Sequence, residues 1–258
     1  MKASELGEAA ASWASTRRTT AGPVNTRYRE AGAGPPVVLV HGLGMAADYW
    51  TRTGPALAAA GFRTLAPDLP GFGETDGPED GLPIQKQAAA LRQWALSLGL
   101  GPAVYVGHSL SCQTVLELTV RWPDSVVGLI LAAPTGGGGQ RRMLGEAWGL
   151  LRDATRESIE LLVLAGHAYL RAGFVRFLRT WRSGADHDPL PLLPQISVPA
   201  LVVVGDRDPV VPLDYAAEFA DLLRDGRLHV IPGATHAVFF HCPEQFNLTA
   251  IEFLRSLD

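Results

Sequence analysis

The sequence predicts an α/β fold: a mostly parallel central β-sheet flanked by helices, with a block of helices inserted between two of its strands. Three observations lead there. Apolar runs such as Val37–Val40 and Val126–Ala133 read as strands covered on both faces, the pattern of parallel sheets. These runs alternate with stretches whose apolar residues recur at spacings of three and four, so the repeating unit is the βαβ crossover. From Thr135 to Ile196 the alternation stops and only helical patterning remains.

The bulk properties agree with one such domain. A chain of 258 residues, 47% apolar and 19% charged, can bury a sizeable core. Its formal net charge of −4 lacks the basic footprint of a nucleic-acid binder. Cys112 and Cys242 are the two cysteines, and Cys112, on an apolar helical face, is expected as a buried free thiol. The first residues carry early glutamates rather than the apolar core of a signal peptide. No run approaches the roughly 18 apolar residues of a membrane span. A soluble, cytoplasmic protein without a membrane span is therefore expected.

Taken in order, Trp13–Thr20 and Val24–Ala31 form a strand pair at a sheet edge, the second alternating as a half-exposed strand does. Val37–Val40 is a central strand. A helix follows from Asp48, read as its N-cap, to Ala60, with Gly61 as its stop. Phe62–Pro67 is the next strand. Ile84, Ala88, Leu91, Ala95 and Leu98 share one face of a helix. The strand at Ala103–Val106 runs through a tight turn into a helix ending near Trp122-Pro123, and Val126–Ala133 is a further strand. Residues 135–196 interrupt a core made of 1–134 and 197–258. They start with a flexible Gly136–Gly139 linker and carry helices near Met143–Asp153, Ser158–Arg171 and Phe174–Arg182. Ala200–Val204, Leu213–Leu223, Arg227–Ile231 and Glu244–Leu257 complete the alternation.

The turn after Val106 reads Gly107-His108-Ser109-Leu110-Ser111. A strand entering a helix through a sharp turn with serine at its tip is a nucleophile elbow. Its flanking residues must be small because strand and helix leave side by side; Gly107 and Ser111 meet that need. A serine nucleophile requires a base, and a histidine base requires an acid that fixes its tautomer. Ligands of open parallel sheets bind beyond the C-terminal strand ends, where Asp206 and Asp208 follow one late strand and His236 follows the next. His241 is the rival of His236, whereas His108 is read as packing behind the elbow. No cysteine–histidine cluster has ligand spacing and no phosphate loop occurs, so neither metal nor cofactor is expected.

These motifs, from about Val24 to the C-terminus, resemble the α/β-hydrolase superfamily. The turn Gly205-Asp206-Arg207-Asp208-Pro209 resembles the family's acid turn, G-x-x-D, which assigns the acid to Asp208. Asp206 is left to stabilise the turn. His41-Gly42-Leu43-Gly44 resembles the oxyanion loop, and the backbone N–H groups of Leu43 and Leu110 are its expected donors. Asp68–Gly73 resembles a family loop and is read as structural. Residues 135–196 stand where the family carries a cap. Ser111 departs from the usual elbow glycine.

The resemblance implies a serine hydrolase, catalytic through Ser109, Asp208 and His236, acting on a small apolar ester or lactone. The same three residues also serve C–C bond hydrolysis, thioester hydrolysis or cofactor-free haloperoxidase-like chemistry, and a non-catalytic ligand binder is a further alternative. Gly42, Trp148, Val210 and Val238 are the expected substrate-contact residues. Eight arginines against six acids in the insertion are too small an excess to argue for an anionic substrate.

Overall fold

A computed structural model describes residues 3–137 and 139–257. Gly138, within the expected glycine linker, lies outside the described residues. In chain order the elements are α1 (Ala3–Ala14), β1 (Arg17–Ala21), β2 (Val24–Ala31), β3 (Pro36–Val40), α2 (Gly54–Ala59), β4 (Arg63–Pro67), α3 (Ile84–Ser97), β5 (Ala103–His108), α4 (Ser111–Arg121) and β6 (Val126–Ala132). Then come α5 (Gly139–Ala154), α6 (Ile159–Ala172), α7 (Phe174–Asp186), β7 (Ala200–Gly205), α8 (Leu213–Asp221), β8 (Gly226–Ile231), α9 (Val238–His241) and α10 (Pro243–Arg255). Among the described residues, eight strands form one sheet in the order β1-β2-β4-β3-β5-β6-β7-β8. The β1–β2 and β2–β4 pairs are antiparallel and the rest parallel. The described residues of 135–196 contribute no strand.

The central strands are apolar throughout because both faces are covered. Val38, Val40, Tyr105, Leu129, Leu131, Val202 and Val204 pack into one core. Their neighbours Val37, Leu39, Val104, Val106, Ile130, Leu201 and Val203 pack into the other. Side chains alternate across the sheet with period two, and each face finds helices to bury against. Cys112 is buried and both cysteines are free. No single described helix is long and apolar enough to cross a membrane.

Two local expectations are corrected. Residues 13–16 are not strand: alanine-rich 3–14 forms α1, as its helix propensity favours, and β1 begins at Arg17. Trp13 closes that helix, buried against Gly54, where any Cβ would come within 2.4 Å of the indole. Asp48 is not a helix N-cap. It lies in a 3₁₀ turn (Ala47–Trp50) ahead of α2, and its carboxylate accepts from Arg27 Nη2 at 2.8 Å and Arg29 Nη2 at 2.6 Å. Two guanidinium donors outcompete a backbone cap.

Those bonds belong to a buried network beneath the turns that follow β3 and β4. Arg27 Nη1 donates to both carboxylate oxygens of Asp68 at 3.2 Å. Asp68 also accepts the N–H groups of Ala47 (2.7 Å) and Glu74 (2.8 Å). Burial opposes the Arg27 charge, but Asp68 and Asp48 more than offset it and raise its pKa above the ordinary value. The Asp68–Gly73 loop is thereby a structural clamp.

The insertion is fastened by close approaches rather than by strands. Arg176 Nη1 donates to the Gly71 carbonyl (2.8 Å) and its Nε to that of Pro78 (3.0 Å). The Tyr169 ring lies against Gly44, at φ 74°, where an added Cβ would fall 2.5 Å from it. At Gly149 a Cβ would meet the Pro209 carbonyl at 2.6 Å, so α5 rests directly on the turn after β7. Removing one partner of a buried ion pair costs about 3–5 kcal/mol because the other charge is stranded. Asp68→Ala leaves Arg27 with Asp48 alone and is expected to lower the free energy of unfolding in urea by about 2–3 kcal/mol, less than a fully stranded charge would.

Candidate active site

The site lies at the C-terminal ends of β3, β5, β7 and β8, under the insertion. At the tip of β5 Ser109 has φ 55°, a left-handed conformation that costs a non-glycine residue energy. The turn is held by Ser109 N–H to Ala132 O (2.9 Å) and Cys112 N–H to Ser109 O (3.1 Å). Gly107 is favoured by packing: a Cβ there would stand 3.0 Å from the backbone of Cys112, tighter than ordinary contact. Ser111 is more than a tolerated small residue. Its buried hydroxyl accepts the His108 N–H at 2.8 Å and donates to the Val40 carbonyl at 2.8 Å. A glycine there has no such bonds with which to tie the elbow to β3.

The other two groups arrive from the far half of the chain. Asp208 follows β7; its Oδ1 accepts the N–H groups of Val210 (2.7 Å) and Val211 (3.1 Å), which aims Oδ2 at His236. His236 Nδ1 lies 2.9 Å from that oxygen and its Nε2 lies 3.0 Å from Ser109 Oγ. A carboxylate accepts, so Nδ1 carries the proton and the Nε2 lone pair faces the serine hydroxyl. Asp206 is spent on the turn, accepting Gly233 N–H at 2.6 Å. His241 points to Thr235 Oγ1 at 3.0 Å.

His108 does more than pack behind the elbow. Burial and the neighbouring His236 hold its pKa well below the ordinary value, so the ring is neutral. Its Nε2 donates to the His236 carbonyl at 3.1 Å, fixing the backbone that carries the second histidine. The opposite ring nitrogen faces Gly42, where a Cβ would come within 2.9 Å. Nearby, His41 Nδ1–H donates to Gly42 O and its Nε2 accepts Leu69 N–H, which shapes the His41–Gly44 loop. Among the described residues no protein acceptor engages the N–H of Leu43 or Leu110.

Ser109 and His236 open into a cavity of about 480 Å³. Gly42, Leu43, Met45 and Tyr49 wall it from the sheet side, and Leu150, Leu151, Leu161, Leu162, Tyr169, Phe177 and Trp181 from the insertion. Of the expected contact residues, Gly42 is on this wall. Trp148 is not, and it is 64% exposed; Leu150 and Leu151 of α5 stand on the wall instead, although Leu151 is just as exposed at 65%. Val210 and Val238 are buried in the two cores and do not reach the cavity. The residues that sequence reasoning passed over are Asp153 and Glu157, both on the wall. Their spacing of four, on the face that carries Leu150 and Ala154, was the available signal.

A fold and a site of this kind define an α/β-fold hydrolase. The family model described as alpha/beta hydrolase matches residues 37–247, and the chain belongs to that family. It is 30% identical to the 2-hydroxy-6-oxo-6-(2'-aminophenyl)hexa-2,4-dienoic acid hydrolase of Metapseudomonas resinovorans, over 98% of this chain and 95% of that one. The solved structure of the putative non-heme bromoperoxidase BpoC of Mycobacterium tuberculosis matches with a TM-score of 0.75 at 29% identity, covering 91% of this chain and 97% of that one. An esterase from Thermogutta terrifontis shares the fold, with a TM-score of 0.82 at 24% identity over 95% and 99% of the two chains.

Burial pushes the Asp153 carboxyl up to about 7, against the pull of His236 and with help from Glu157. The folded chain therefore holds a proton that the unfolded chain, with an aspartate near 3.9, has released. Stability contributed by that proton is lost as pH rises from about 4 to about 7. Asp153→Asn removes the charge and keeps a donor for Glu157. Its melting temperature is expected to exceed that of the wild type at pH 8, with the gap closing at pH 5, as scanning calorimetry would record.

Proposed function

We propose that this chain is a serine hydrolase that cleaves carboxylic esters or lactones with an apolar acyl or alcohol part. The observation that carries the reading is the unbroken hydrogen-bonded line from Ser109 Oγ through His236 to Asp208, with spacings of 3.0 and 2.9 Å, on the wall of a mostly apolar cavity.

The reaction follows from the proton positions. Ser109 Oγ attacks the substrate carbonyl as His236 Nε2 takes its proton, and Asp208 stabilises the imidazolium. The oxygen of the tetrahedral intermediate takes up the negative charge between the Leu43 and Leu110 N–H groups, which are otherwise unengaged. As the intermediate collapses, the alcohol leaves with the proton from Nε2. A water then gives a proton to His236 and attacks the acyl-enzyme, releasing the acid and restoring Ser109. Residues 135–196 act as a cap that roofs the cavity and selects the substrate.

The relative named as a dienoic acid hydrolase raises cleavage of a carboxylate-bearing diketone as the second reading. A substrate carboxylate held in an apolar cavity needs a cation or several donors. Among the described residues the wall carries two acids and neither lysine nor arginine, which favours the ester. A fluorophosphonate is expected to label Ser109 and no other residue, by peptide mass spectrometry, and Ser109→Ala to abolish both labelling and hydrolysis of short p-nitrophenyl esters. A dienoate assayed beside those esters decides between the two readings. By analogy with serine proteases, Asp208→Asn is expected to lower kcat by about 10⁴ through the wrong histidine tautomer, whereas Asp206→Asn retains activity.

A further inference from the structure

The cavity beside Ser109 is apolar almost all round, yet α5 and the residue that follows its last turn set two carboxyl groups into the wall. Asp153 and Glu157 line it together with His236, close enough that Glu157 helps to raise the Asp153 pKa. Asp153 is only 4% exposed. Among the described residues neither is paired with a lysine or arginine, and the pull of the nearby His236 ring on Asp153 does not offset its burial. Glu157 accepts the Thr235 hydroxyl at 2.6 Å, and the His236 N–H stands 3.5 Å from Asp153 Oδ1. Arg156, the one basic residue between them, turns away to the Arg207 carbonyl. The other titratable groups around the pair do not cancel its charge. Tyr49 is kept protonated by burial, His108 is neutral, and Asp208 adds a negative charge behind His236.

At pH 8, above the Asp153 value of about 7, the pair carries negative charge. Such a charge in an apolar wall lacks its counter-ion. An ammonium group supplies that charge and donates to both carboxyls at once, in surroundings where ionic hydrogen bonds are strong. A carboxylate entering the same place brings like charge and no donor.

We infer that the Asp153–Glu157 pair is a charge-selecting subsite: it takes substrates whose apolar body carries a protonated amine and turns away substrates that carry a carboxylate. This rests on the cavity being the substrate site, as in the ester reading, which it narrows to amine-bearing esters. The specificity would come from the cap side of the cavity, opposite the groups that handle the carbonyl.

The test is one of binding, so that it does not depend on turnover. Ser109→Ala protein is titrated by calorimetry at pH 8 with n-octylamine and with octanoate, one fully protonated and the other fully ionised. The amine is expected to bind about 30-fold or more tightly than the acid, the worth of one charge-assisted pairing. In Asp153→Asn/Glu157→Gln on the same background the ratio should fall to about threefold or less. Should the double variant not fold, Glu157→Gln alone is expected to lower the ratio part of the way. Equal binding of the two probes, tighter binding of octanoate, or a ratio that the substitutions leave unchanged would overturn the inference. The ester reading is judged apart from it, by fluorophosphonate labelling and ester turnover of the unsubstituted chain. Turnover without charge preference sinks only the subsite, and amine binding in a chain that cleaves no ester sinks only the ester reading.

Discussion

The left-handed backbone of Ser109 is the constraint on which the site depends. A non-glycine residue at φ 55° costs energy that only the surrounding structure can offset. Here the offset comes from both sides of the turn. β5 is hydrogen-bonded between β3 and β6, α4 crowds any side chain at Gly107, and the Ser111 hydroxyl bridges β5 to the end of β3. The strain is held in the middle of the sheet, so the hydroxyl stands clear of it in one direction. His236 must then be brought to that direction, and its backbone carbonyl is held by the residue just before the serine.

The remaining polar groups divide by distance from that hydroxyl. Farther off, Arg27 and Arg29 pair with Asp68 and Asp48 in one network, and their work is to hold loops in shape. Close in, Asp208 is saturated by two backbone N–H groups and one imidazole. Asp153 and Glu157 are the exception, acids on a cavity wall that the described protein leaves without a cation. Buried polar groups are ordinarily satisfied, and an excess of negative charge facing an apolar cavity is a property that substrate can answer.

Much of this was legible in the residues themselves, for identifiable reasons. The central strands read clearly because double-sided burial leaves them almost wholly apolar, His108 at the tip of β5 apart. Ser109, Asp208 and His236 read clearly because each follows a strand end and the elbow needs small neighbours at fixed positions. The wall of the cavity was less legible. α5 to α7 carry apolar residues on more than one face, so periodicity alone did not separate Trp148, which is off the cavity wall, from Leu150 and Leu151, which are on it. Val210 and Val238 are near Asp208 and His236 in sequence, but the turn and α9 send them into the cores. Asp48 shows the same limit on a smaller scale: a residue suited to capping was taken by arginines from a neighbouring strand.

The separations within the hydrogen-bonded line have a consequence for synthesis. Ser109 and His236 are 127 residues apart, and Asp208 precedes His236 by 28. A nascent chain therefore displays the serine long before the imidazole that faces it exists, and a nicked or truncated chain ending before β8 has a serine with nothing to draw off its proton. On the mechanism proposed above, the hydroxyl gains its base only when the last strand has docked, so its reactivity would report completed folding.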